Sequence, residues 1–154
     1  MPHSIAALIG HAGQKREPSP IRNFWLLDRH DLPEDAGAYV LIARPGVSFD
    51  YPGGKSPVFY IGMATSLVDR LSEHLKHSKA AAHARRVPLY WPRYEYAARF
   101  GGRYATINTW QRMTPRALEE ELIAGFASRF KAFPVANSAG SWNRIRKHAL
   151  LRAG

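Results

Sequence analysis

The sequence predicts a small α+β domain, and three observations predict it. Two short runs of β-forming residues, 38–43 (AYVLIA) and 58–61 (VFYI), are each bounded by Gly or Pro, as buried strands are. Two longer stretches begin at helix-capping signals, Ser66 and Thr114, and place leucines, isoleucine and phenylalanines at helical spacing. A chain of 154 residues with 45% hydrophobic and 12% aromatic residues has enough apolar material for one core and little room for a second.

The elements follow in order. Residues 11–22 are polar, carry two prolines and read as a loop or arm, and residues 23–31 (NFWLLDRHD) as a helical turn or short strand. The strand at 38–43 follows Gly37. The stretch 45–57 is rich in Gly and Pro and joins the two strands as a long hairpin loop. Ser66 is a good N-cap with Asp69 three residues on, and Leu67, Leu71 and Leu75 form the core stripe of the helix that follows. Residues 79–86 are Ala-rich, basic and expected helical. Residues 89–100 alternate aromatics and are expected as a third strand, although Pro92 counts against it. Thr114 with Pro115 at the first helical position opens a helix running to about Phe130. The basic residues after Gly140 are expected helical at 142–150. The chain thus divides into an N-terminal arm (1–31), a central domain (32–138) and a basic C-terminal segment (139–154).

Composition excludes several functions. There is no cysteine, so disulfides, thiolate catalysis and Cys-ligated zinc are out. No apolar run approaches the roughly 20 residues that span a bilayer, and the first ten residues lack the pattern of a secretory signal. A cytoplasmic setting is the default expectation. The net charge of +10 is unevenly placed: residues 1–62 carry six Lys/Arg and six Asp/Glu, whereas residues 63–154 carry sixteen against six. Such an excess suits a polyanion, because each neutralised phosphate releases a counterion.

The chemistry-bearing residues cluster at helical spacing. Arg70 and His74 stand i, i+4 on one face of the helix after the second strand, close to the sheet end where Tyr39 and Tyr60 lie. A guanidinium binds phosphate bidentately, an imidazole moves protons, and phenols donate to or accept from an activated water. Each residue alone reads more simply, as a solvated cation or a packed ring. In the last helix Glu119 falls at the centre of the stripe made by Leu122, Ile123, Phe126 and Phe130, with Glu120 about 100° away and Glu121 near the opposite side. A carboxylate on a core-facing stripe needs a partner, a divalent metal or an arginine. It can also serve simply as an acid favoured in the first turns of a helix.

These residues resemble the GIY-YIG nuclease superfamily. The name motif stands as Gly37-Ala38-Tyr39 and Tyr60-Ile61-Gly62, preceded by Leu32-Pro33. Arg70 follows the second motif after seven residues, His74 lies one turn later, and Glu119 precedes Ile123 by four positions. Pro134-Val135-Ala136-Asn137 has the form of the family's closing Pro-x-x-Asn, with Asn143 the alternative asparagine. The likeness covers residues 32–138. It departs in Ala38, where Ile or Val is usual, in Met63, where some members carry Lys, and in longer stretches between the motifs and before Asn137.

The resemblance implies a three-stranded, mainly antiparallel sheet flanked by helices, and a metal-dependent endonuclease acting on phosphodiesters, DNA before RNA. It implies catalytic roles for Tyr39, Tyr60, Arg70, His74, Glu119 and Asn137, with Glu119 holding Mg²⁺ or Mn²⁺. Tyr39 and Tyr60 are equal candidates for helping to activate the water. Arg85, Arg86, Arg93, Arg99, Arg103 and Arg112, interleaved with aromatics, form the expected nucleic-acid-binding surface. One site per chain leaves nicking or homodimerisation as the ways of acting on a duplex. The rival expectation is a non-catalytic nucleic-acid-binding module on the same fold.

Overall fold

The computed structural model describes residues 18–83, 92–109 and 113–137. Strand β2 (Gly37–Ala43) is the centre of an antiparallel sheet, between β5 (Val58–Ala64) and β6 (Gly101–Asn108). The two-residue β1 (Arg22–Asn23) pairs with the outer edge of β6, so the order is β1-β6-β2-β5. The domain is α+β, but the expected three-stranded sheet has a fourth strand at one edge. A separate hairpin, β3 (Phe49–Tyr51) and β4 (Gly54–Ser56), occupies the Gly/Pro-rich connection between β2 and β5.

Every residue of β2 is buried because both faces of the sheet are covered. On one face Val40, Ile42, Ile61, Ala105 and Ile107 pack against Leu118, Leu122, Ile123 and Phe126 of α3 (Pro115–Phe130). On the other, Tyr39, Leu41, Tyr60 and Tyr104 meet Leu67 and Leu71 of α1 (Leu67–His83) and Ala97 of α2 (Pro92–Phe100). Phe24 joins this second core, and its backbone N–H donates to the Gly102 carbonyl, so the described part of the N-terminal segment is packed onto β6.

Helix α1 begins as its sequence predicts. The Asp69 N–H donates to Ser66 Oγ and the Arg70 N–H to the Ser66 carbonyl, while Leu67 and Val68 donate to the carbonyls of Asp35 and Pro33. All four first-turn N–H groups are therefore satisfied within the chain. Helix α3 is capped by Thr114 Oγ1, which accepts from the Ala117 N–H, and carries Pro115 at its start. It ends at Lys131, which takes the left-handed conformation with φ 60°.

The expectation of a third strand at 89–100 is overturned. The described part, Pro92–Phe100, is helical, and the strand is Gly101–Asn108. Pro92 is not a strand breaker here but the first residue of a helix, where its missing N–H costs nothing. Tyr94 and Ala97 are the buried positions, three apart. The glycines that mask the true strand are steric: a Cβ on Gly101 would stand 2.6 Å from the Ala97 carbonyl oxygen. The inter-motif hairpin is structural. Its Tyr51 ring packs edge-on to Phe126 at 5.0 Å and its hydroxyl donates to the Val58 carbonyl, and the Gly53 N–H donates to the Phe130 carbonyl at the end of α3.

Among the described residues, no helix is long and apolar enough to cross a membrane.

Candidate active site

The site is built on the sheet face that carries α1 and α2. In the β2–β5 register Tyr39 stands opposite Gly62, and Leu41 opposite Tyr60. Alternation then puts Tyr39, Tyr60 and Gly62 on one face, with the two phenol rings as diagonal neighbours. Their centroids are 5.8 Å apart and the two hydroxyls share a hydrogen bond. Gly62 makes this possible. A Cβ there would lie 2.6 Å from Tyr39 Cζ, 2.7 Å from its hydroxyl oxygen and 2.7 Å from Tyr60 Cε1. The glycine is thus the floor on which both rings lie.

Helix α1 adds Arg70 and His74 from one face, one turn apart. His74 is 1% exposed, among the rings of Phe24, Tyr39, Tyr60 and Tyr94 at centroid distances of 5.8, 6.0, 5.9 and 4.7 Å. Its Nδ1 is 3.1 Å from Ser78 Oγ, while Nε2 has no hydrogen-bond partner among the described residues. Burial, reinforced by the nearby Arg93, Arg70 and His77, pulls its pKa down to about 3. The imidazole is therefore neutral at neutral pH. Arg70 is half-buried, and its charge reaches both the Tyr39 phenol and His74. Among the described residues no hydrogen bond or ion pair engages its guanidinium. Because the N–H groups at the start of α1 are already taken, a phosphate here would be bound by this side chain rather than by the helix end.

Helix α2 brings a residue that the sequence assigned elsewhere. Arg93, in its first turn, donates from Nη1 to the Tyr60 hydroxyl at 3.4 Å and from Nη2 to the Tyr94 hydroxyl at 3.2 Å. Its guanidinium carbon lies 4.8 Å from the Tyr94 ring centroid and 5.8 Å from that of Tyr60. Burial opposes its charge, but the surrounding phenols outweigh that and hold it protonated. The signal for this was Pro92 read as a helix start, which would have put Arg93 beside the sheet. From α3, Glu119 is buried, at 6% exposure, and its charge acts on Tyr60. The core-facing carboxylate inferred from the helical wheel is where that wheel places it.

The two phenols differ. Tyr39 is pushed well above the ordinary tyrosine range, chiefly by burial and then by Tyr60, against Arg70 and Arg93. Tyr60 is also raised by burial, but Arg93 and the Tyr39 hydroxyl act in the opposite direction, against Glu119. Each phenol has a cationic neighbour acting against its burial, Arg70 and Arg93 at Tyr39 and Arg93 at Tyr60, and burial outweighs them in both.

Comparison with family models, curated proteins and solved structures returns no match for this chain.

The remaining predicted residues fall into three groups. Asn137 is buried and closes the outer edge of β5: Oδ1 accepts from the Ile61 N–H at 3.3 Å and Nδ2 donates to the Ile61 carbonyl at 2.9 Å. It holds the backbone of Tyr60-Ile61-Gly62 rather than standing among the phenols. Arg99 pairs with Glu95 at 2.9 Å, and Arg103 Nε donates to the Ala43 carbonyl, so neither is part of the tyrosine cluster. Arg85, Arg86 and Arg112 lie outside the described residues. An open pocket of about 460 Å³ lined by Ser19, Arg22, Asp31, Thr106 and Asn108 belongs to the β1–β6 side of the sheet and contains none of the cluster.

The donor set suits one kind of metal site. Among the described residues no group of three or more His, Asp and Glu stands together. Mg²⁺ and Mn²⁺ are often held through one or two carboxylates, with waters and substrate phosphate oxygens completing the shell. A single buried glutamate, Glu119, could supply one such carboxylate and not an all-protein cage.

Proposed function

We propose that the chain is a metal-dependent endonuclease of the GIY-YIG type, hydrolysing phosphodiester bonds, with DNA as the preferred substrate. The observation that carries this reading is convergence. Of the residues picked out by their order along the chain, Tyr39, Tyr60 and His74 meet ring to ring on one sheet face, the Arg70 charge reaches Tyr39 and His74, and the Glu119 charge reaches Tyr60 from the helix on the opposite face. Separately each has an ordinary structural role; together they supply a cation for phosphate, a phenol pair for water and a carboxylate for metal.

In the proposed reaction Arg70 binds the non-bridging oxygens of the scissile phosphate and stabilises the charge that grows there. Water attacks phosphorus as the bond to the leaving oxygen breaks; the Tyr60 oxygen accepts a hydrogen bond from that water and orients it, and the proton the water loses ends on the leaving oxygen. Tyr39 shares a hydrogen bond with the Tyr60 oxygen and orients it. Glu119 would hold Mg²⁺ or Mn²⁺, which supplies neutralisation of the leaving oxygen. His74, neutral and walled in by rings, supports the phenols by packing rather than as a proton carrier. The basic residues of the second half of the chain contact the nucleic-acid backbone. A binding module without cleavage is the alternative, and the presence of both Arg70 and Glu119 in the chain counts against it.

Glu119→Gln and Arg70→Ala test the assignment. Each is expected to lower Mg²⁺-dependent cleavage by about 10²–10³-fold, the scale of one lost transition-state contact. Glu119→Gln is expected to keep duplex affinity measured in EDTA. Cleavage persisting in both variants, with wild-type metal dependence, would contradict the roles of Glu119 and Arg70.

A further inference from the structure

The Arg93 guanidinium bridges two phenols of the site from a helix that the chemistry otherwise does not use. We propose that Arg93 is a positioning residue of this centre: by spanning the Tyr60 and Tyr94 hydroxyls it fixes the Tyr60 oxygen in place against Tyr39 and locks α2 over the reaction centre. The inference rests on the nuclease reading above and moves Arg93 from the outer nucleic-acid surface into the machinery.

Three features separate Arg93 from a surface cation. Its partners are hydroxyls inside the cluster, whereas Arg99 and Arg103 on the same helix and the following strand bind Glu95 and a backbone carbonyl. It sits in the first turn of α2, where the helix dipole disfavours a positive charge, so the helix's own preferences do not explain it. And its charge is felt by Tyr39, Tyr60 and His74 alike. The geometry also requires arginine in particular. One planar fork reaches two oxygens while stacking on the Tyr94 ring, and a lysine ammonium, a point charge on a flexible stem, does not reproduce that.

The test is single-turnover cleavage of a short duplex in Mg²⁺, beside duplex affinity in EDTA, for wild type, Arg93→Ala and Arg93→Lys. Arg93→Ala is expected to slow cleavage about 10- to 100-fold, the scale of one charge-assisted hydrogen bond, with affinity nearly unchanged. Arg93→Lys stays slow despite keeping the charge, and added methylguanidine restores part of the Arg93→Ala rate. Thermal melting of both variants checks folding; if Arg93→Ala is unfolded, Arg93→Lys carries the comparison. A cutting wild type beside an Arg93→Ala protein that is equally fast, or that loses rate and affinity in proportion with no guanidine rescue, overturns the positioning role alone. A wild type that never cuts overturns the nuclease reading and this role with it.

Discussion

Gly62 and His74 show how the centre constrains individual residues. Gly62 has no side chain because two phenols occupy the space a Cβ would need. Gly62→Ala is expected to lower unfolding free energy by about 1–3 kcal/mol, the usual cost of forcing atoms into a packed site, and to abolish cleavage. Urea denaturation together with the cleavage assay measures both. His74 gives a pH prediction. Its folded pKa, about 3, lies below the usual imidazole value of 6.5, so between those values the unfolded chain binds a proton that the folded chain does not. Stability is therefore full above pH 6.5 and falls as pH drops toward 3, by up to about 1.4 kcal/mol per unit. The groups facing it are the rings of Phe24, Tyr39, Tyr60 and Tyr94, the Ser78 hydroxyl, and the charges of Arg93, Arg70 and His77, none of which offers the imidazolium an anion. Thermal melts at pH 7 and pH 5 should show a smaller acid shift in His74→Phe than in wild type; an identical shift would place the acid sensitivity elsewhere. Spacing alone put Arg70 and His74 on one face. It could not reveal that the ring cage keeps His74 neutral, because the cage comes from four distant segments.

At the scale of elements, the segment after α3 acts as a surrogate strand. Ala136 donates to the Phe59 carbonyl and Asn137 makes both available bonds to Ile61, so the exposed edge of β5 is covered where the second motif lies. Asn137→Ala leaves a buried N–H and a buried carbonyl of Ile61 without these partners and is expected to cost about 2 kcal/mol or more. Amide exchange at Ile61 should accelerate with it; unchanged protection would show that Asn137 does not hold this edge. The strands β2 and β5 and the helices α1 and α3 were legible in the sequence, since each has a sustained period and a capping or turn signal. The region around Pro92 was not. Alternating aromatics imitate a strand, and only tertiary packing distinguishes Tyr94 and Ala97 facing the core from a two-residue repeat. That error also hid Arg93, because a residue assigned to an outer strand has no reason to meet Tyr60.

Along the whole sequence a neutral first part precedes a basic remainder, and among the described residues the phenol cluster lies on the face shared by α1 and α2. Under the proposed function, the charge asymmetry predicts salt-sensitive binding to nucleic acid. Replacing Arg85 and Arg86 together is expected to weaken duplex binding and to reduce the slope of log affinity against log salt by up to about 2, near one unit per lost phosphate contact. A slope equal to that of wild type would remove those two residues from the interface. The central claim is chemical, however, and the most direct measurement is incubation of the wild-type protein with supercoiled plasmid in Mg²⁺ and in EDTA. The account predicts nicked or linear product in Mg²⁺ alone. Plasmid that is bound but stays supercoiled in both Mg²⁺ and Mn²⁺ would contradict it and favour the binding-module alternative.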